Sequence, residues 1–126
     1  MSRASETRKL PNSLGDIVKS TTADVPGHIV TRYLGLVTAE ACMAPEELKN
    51  LKAFIQKVEG GRHPEFERMM RIARNEALAS LETEARELGA NAIIGIDFDF
   101  SHLSDVGLLM LAVSGTAVMV EDKRNM

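Results

Sequence analysis

A chain of 126 residues, 44% hydrophobic and 26% charged, with nine Gly and four Pro, has the composition of one globular domain rather than of a fibrous or disordered polymer. Its net charge of -3 and pI near 5.6 leave no basic face for nucleic acid. The single cysteine, Cys42, excludes an intrachain disulfide and any CxxC zinc or redox motif.

The opening "MSRASETRKLPNSLGD" is polar, carries both charge signs and has neither helical nor strand period, so residues 1–16 are expected to form a tail. It lacks the apolar core of a signal peptide, and no run approaches the roughly 20 apolar residues of a membrane span. A cytoplasmic protein without membrane contact is the expectation. The domain is placed at 17–122, with 123–126 as a C-terminal tail.

The first elements are a short β-branched piece after Ile17, a Pro26-Gly27 turn, and a strand from about Ile29 to Thr38. The turn predicts an antiparallel hairpin. "APEELKNLKAFIQKVEGG" then predicts a helix, with Pro45 in its first turn, Glu46 and Glu47 near the positive end of the helix dipole, and Gly60-Gly61 as its stop. Its apolar stripe is Leu48, Leu51, Phe54, Ile55 and Val58.

A second helix opens at His63-Pro64-Glu65 and closes at Gly89, with Phe66, Met70, Ala73, Ala77, Leu81, Ala85 and Leu88 at helical spacing. Met69 and Met70 read as packing residues of an amphipathic helix.

The last strands are "AIIGIDFDF" and "GLLMLAVSGTAVMVED". Strict alternation would put Ala92, Ile94, Ile96, Phe98 and Phe100 on one face of the first, opposite Ile93, Gly95, Asp97 and Asp99. The second strand does not divide: Leu108, Met110 and Ala112 alternate with Leu109, Leu111 and Val113, so both faces are apolar. Two helices can cover only one face of a sheet, and an apolar second face calls for a partner. A homo-oligomer follows as the expectation. Gly35, Gly95 and Gly115, in the middles of strands, read as bulges or tight packing points.

The stretches "YLGLVTAEA" (33–41), "GGRHPEFERMMRIARNEAL" (60–78), "LGANAIIGIDFDF" (88–100) and "VSGTAV" (113–118), in that order, resemble the YbjQ-like family of small bacterial and archaeal proteins described as heavy-metal-binding domains. The resemblance covers about residues 18–120. It implies an α+β fold in the form of a two-layer α/β subunit, with an antiparallel sheet covered on one face by the two helices, and ring-shaped pentamers of such subunits. Two residues depart from the family pattern: Ala39 stands where a Gly is usual, and Phe66 where a Tyr is usual.

For a metal, soft ions want thiolate or clustered imidazole, and Cys42, His28, His63 and His102 lie far apart in the sequence. His63 reads as a helix-start residue, and His28 and His102 as solvated turn residues. Glu40 and Cys42, two apart in a loop after the strand, make one local pair. Asp97 and Asp99 make another, about 6.8 Å apart along an extended strand and close enough to share a hard cation, although the first expectation for them is the rim of the sheet, solvated or paired with a subunit neighbour's Arg. These four residues are the metal or ligand candidates. No nucleophile elbow, P-loop, dinucleotide fingerprint or His-Glu-x-x-His motif is present, so no catalytic set can be nominated. The sequence favours an oligomeric protein binding a metal ion or small ligand, over a purely structural module and over an enzyme with a subunit-interface site.

Overall fold

The computed structural model describes residues 17–43, 64–103 and 108–125. Among them the elements are β1 (Val18–Lys19), β2 (His28–Met43), α1 (Pro64–Glu87), β3 (Ala92–Leu103), β4 (Leu108–Asp122) and a closing 3₁₀ turn at Lys123–Asn125. The helix expected from Pro45 to Gly61 lies outside the described residues. The fold is α+β: a four-stranded sheet in the order β1-β3-β4-β2 with one described helix packed on it.

The sheet is mixed rather than antiparallel. β1 pairs with β3 in parallel, Val18 opposite Ala92 and Lys19 opposite Ile93. The bonds of Asn91 to Val118 and of Lys123 to Gly27 place β3 and β2 antiparallel to β4. The predicted hairpin between the first two strands is therefore not formed. β1 and β2 lie at opposite ends of the sheet order, because the chain crosses over between Ser20 and Val25 instead of doubling back. Pro26-Gly27 does make a tight turn, with the His28 N–H donating to the Val25 carbonyl at 3.0 Å and Gly27 at φ 79°. These are the marks of a type II turn, which here only aims the chain into β2.

The chain forms two compact units, divided after Thr38, Ser80, Asp97 and Val113. In the first, Val25, Ala92, Ile94, Val118 and Val120 form a buried cluster joined by Val18 and Val30. Each fully buried side chain of Val or Ile size contributes about 1.5–3 kcal/mol. Leu81 and Ala85 bring the buried stripe of α1 into this unit. α1 ends as its sequence predicts: Gly89 takes φ 86°, its N–H donates to the Arg86 carbonyl and that of Ala90 to the Ala85 carbonyl, which is the Schellman pairing. Leu88, assigned to the stripe, is instead exposed at the helix end. Next to it, the Asn91 side chain donates to the Val120 carbonyl at 3.1 Å and accepts from the Val120 N–H at 2.9 Å, so one amide extends the ladder between β3 and β4.

β3 does not alternate strictly. The Ser20 N–H donates to the Ile93 carbonyl, so a regular parallel ladder would bring the N–H of residue 95 to the Ser20 carbonyl. Ile96 makes that bond instead, while Gly95, at φ 62°, donates to the Thr22 carbonyl. One extra residue is thus absorbed at Gly95, the left-handed glycine of a bulge. The bulge brings Ile93 and Ile96 over the same glycine: a Cβ built on Gly115 would lie 2.7 Å from Cγ2 of Ile93 and 3.2 Å from Cγ1 of Ile96. The sequence reading had put these two isoleucines on opposite faces. Downstream of the bulge, Phe98 and Phe100 follow Ile96, and Asp97 and Asp99 take the other side.

In the second unit Ala39, Ala73, Ala77, Leu109, Leu111 and Val113 are buried. Ala112 is exposed and Met110 half-buried, so the two apolar sides of β4 are not equally covered.

Candidate functional site

β2 runs through Met43, so Glu40 and Cys42 sit in a strand and not in a loop after it. Val37 and Ala39 are buried and Ala41 is half-buried, whereas Thr38, Glu40 and Cys42 are exposed. That alternation puts Glu40 and Cys42 on one side of β2, about 6.8 Å apart. Cys42 is a free, exposed thiol. It borders a groove of about 290 Å³ whose other walls include Ala41, Arg68, Met69, Ile72 and Glu76. The first half of α1 supplies that groove with one guanidinium, one carboxylate and an apolar floor. Met69 faces this groove and not a closed core, although helical spacing alone suggested packing.

Asp97 and Asp99 are both exposed, Asp97 closing its stretch of the first unit and Asp99 lying in the second. Their side of the strand is fixed by the bulge, which turns Ile96 inward immediately before them. Among the described residues no three His, Cys, Asp or Glu side chains come together in a way that could hold a metal ion.

His28 is a residue whose environment the sequence reading missed. It begins β2, half-buried. Its Nδ1 lies 2.9 Å from the Pro26 carbonyl, which can only accept, so Nδ1 is the donor of that bond. Nε2 is enclosed and has no hydrogen-bond partner among the described residues. Pro26, Gly27, His28, Asp122, Lys123 and Arg124 line a cavity of about 250 Å³. Within it the Arg124 guanidinium donates to both carboxylate oxygens of Asp122, and the Arg124 N–H to one of them. Those bonds hold the Asp122 carboxyl well below the usual carboxylate range and push the Arg124 guanidinium up. The only sequence signal for this pocket was the Pro-Gly turn before the histidine. His102 falls within β3 and not in a turn, and His63 lies outside the described residues.

A second ionic cluster ties α1 to β1. Glu82 accepts from Lys19 and from Arg86, each at 2.5 Å. Partial burial pushes the Glu82 carboxyl up, but the two cations outweigh it and hold the group below its ordinary value.

A mixed sheet under one described helix, with exposed acids and a free thiol on its strands, defines a small α+β protein. A family model described as "Putative heavy-metal-binding" matches residues 17–121, and the chain belongs to that family, the YbjQ family. A similar solved structure is the crystal structure of a DUF74-family protein of unknown function from Pediococcus pentosaceus. It is 18% identical, the match covers 83% of this chain and 98% of that one, and the TM-score is 0.54. At that identity the likeness concerns the fold. No helix among the described residues is long and apolar enough to cross a membrane.

Proposed function

We propose that the protein is an oligomeric carrier of a small ligand or metal ion, acting in the cytoplasm as a ring of five copies. The observation that carries the reading is the end of β2, where the exposed Cys42 thiol and the Glu40 carboxylate share one side of the strand, beside a groove edged by Arg68 and Glu76. A thiolate and a carboxylate about 6.8 Å apart suit a borderline or soft cation bridging them, with further donors supplied by another copy or by the ligand. Asp97 and Asp99 form the second candidate pair, for a hard cation held by oxygen. The family description is compatible with either.

The test is metal and small-molecule analysis of protein purified without an affinity tag, by native mass spectrometry and elemental analysis. Retained metal that disappears in Cys42→Ser and Glu40→Gln supports the β2 pair. Loss only in Asp97→Asn with Asp99→Asn moves the site to β3. No retained metal or small molecule, and no binding on titration with Zn²⁺, Cu⁺, Mg²⁺ or Ca²⁺, refutes the carrier reading. The second reading is then an interaction module, supported by the large apolar side chains exposed on β2, Tyr33 and Leu36.

A further inference from the structure

The enclosed Nε2 of His28 lies where β2 begins and β4 finishes. The Lys123 N–H donates to the Gly27 carbonyl at 3.0 Å and the Thr31 hydroxyl to the Met119 carbonyl at 3.3 Å, so the antiparallel register sets His28 directly opposite Asp122. Side chains opposed in this way share one side of the sheet, with Cβ atoms about 4.5–5.5 Å apart. Next along the two strands on that side come Val30 and Val120, which carry no charge and pack in the buried cluster. A histidine and an aspartate are therefore cross-strand neighbours beside an apolar floor.

The Asp122 carboxylate is engaged by Arg124, which donates from its backbone N–H at 2.8 Å, from Nε at 3.0 and 3.1 Å and from Nη2 at 2.6 Å. The partners are placed unequally: the Asp122 side chain is 19% exposed and that of Arg124 59%. Water can replace the carboxylate around so open a guanidinium, and ion pairs with an exposed partner contribute little. His28 has the opposite problem. Its Nδ1 is tied to the Pro26 carbonyl, so a second proton on the ring must go to the enclosed Nε2. A charged N–H shut away from water without an acceptor costs far more than an exposed ion pair returns. Of the residues lining the cavity, Asp122, Lys123 and Arg124 are the other ionisable ones, all from the end of β4 and the turn after it, while Pro26 and Gly27 bring no charge. Asp122 is the one acid among them. Its carboxyl is held ionised chiefly by the Arg124 bonds and further by the charge of His28, so the two groups already lie within electrostatic reach.

We infer that His28 and Asp122 form a proton-operated clasp on the 3₁₀ turn that follows β4. When the imidazole takes a proton from solvent onto Nε2, the Asp122 carboxylate accepts from that N–H and gives up its bonds to Arg124, whose guanidinium turns to water. The new N–H is the only covalent change. The Lys123–Gly27 bond is untouched, so the end of β4 stays in place while the turn at Lys123–Asn125 loosens. Each proton taken up adds one positive charge to this corner and presents Lys123 and Arg124 together on its surface. Histidine is the side chain whose ordinary titration falls within about pH 5–8, so the clasp answers to mild acidification. It is independent of the ligand site proposed at the other end of β2.

The test is an NMR titration of the full chain from about pH 8 to about pH 5, following the His28 ring protons and the Arg124 backbone N–H. In wild type the Arg124 signal should move along the same curve as the His28 ring and finish at the position that Asp122→Ala shows throughout. In His28→Gln it should keep its high-pH position over the whole range. Lys123→Ala, which removes the neighbouring cation, should leave the coupled movement unchanged. A wild-type Arg124 signal that stays still while His28 titrates overturns the clasp. So does a movement that stops well short of the Asp122→Ala position, as the field of a charged ring alone would give, or one that persists in His28→Gln. Should either variant fail to fold, the wild-type Arg124 Nε–H carries the test: its shift should pass from that of a carboxylate-bound group to that of a solvated one as His28 titrates, and a constant shift overturns the clasp.

Discussion

The crossing of β3 and β4 around Gly95 and Gly115, and the exposed ends that carry Glu40, Cys42, Asp97 and Asp99, are held by different forces. At the crossing, side chains are fixed by contact: Gly115 has no room for a methyl group, and Gly95 takes a backbone conformation that other residues enter at a cost. At the exposed ends the acids make no ion pair among the described residues, and solvent surrounds them. Substitution at the first place should therefore cost folding, and at the second only binding or assembly.

The hardest test of that contrast is Gly115→Val. Its Cβ must displace Ile93 at 2.7 Å and meets the Ile94 carbonyl at 3.3 Å. Overpacking of this kind costs about 1–3 kcal/mol, and the two γ-methyls of valine should take the loss to the upper end, read as a fall in the denaturation midpoint. If Gly115→Val unfolds at the wild-type midpoint, the crossing is not the rigid part of the molecule. Gly95→Ala should cost less, about 1–2 kcal/mol, because φ 62° is unfavourable for an L side chain while the space around its Cβ is open.

Glu82 offers an intermediate case, an acid that is engaged. Its folded-state carboxyl titrates lower than in the unfolded chain, so its stabilisation is present above the unfolded value, near 4.5, and is lost as the pH falls through the lowered folded value. Stability of Glu82→Gln should accordingly depend less on pH than wild type below about pH 5, with a difference at neutral pH of about 0.2–1 kcal/mol, as for other exposed ion pairs. Parallel pH curves for the two proteins would show that Lys19 and Arg86 do nothing for folding.

The smallest change should come from Asp97→Asn with Asp99→Asn, which is expected to stay within about 0.5 kcal/mol for the folded subunit. If these acids hold a divalent cation, a chelator should lower the thermal stability of wild type and leave the double variant unmoved. A larger loss in the double variant without metal present would place the acids with the crossing instead.

Much of this was legible in the sequence where local rules act alone. α1 could be read from Pro64, the Ala73, Ala77, Leu81 and Ala85 stripe and the Gly89 cap, because start, period and stop agree. The exposure of Asp97 and Asp99 was legible too, since carboxylates at the end of an apolar run seldom bury unpaired. What failed depended on partners distant in the chain. A two-residue strand carries no period of its own, so its parallel pairing with β3 was hidden behind a Pro-Gly turn that resembled a hairpin signal. The extent of β2 was underestimated because "AEACM" has no strong strand residue, and its burial pattern comes from what lies over Ala39. His28 looked like a turn residue because its enclosure is supplied by Asp122, Lys123 and Arg124 from the other end of the chain.

The bulge at Gly95 has one further consequence, for insertions and deletions rather than for substitutions. Because the glycine is a surplus residue, a chain lacking it would let Ile96 meet the Ser20 carbonyl in the ordinary parallel register, with Ile93 and Ile96 still on one side and both aspartates still on the other. A valine in its place keeps the count but resists φ 62°, and pushes β3 toward plain alternation, in which Ile96 turns outward and Asp97 turns in. For this strand the number of residues matters more than their kind: shortening it by one preserves its pattern, and a conservative-looking replacement at the same point inverts it.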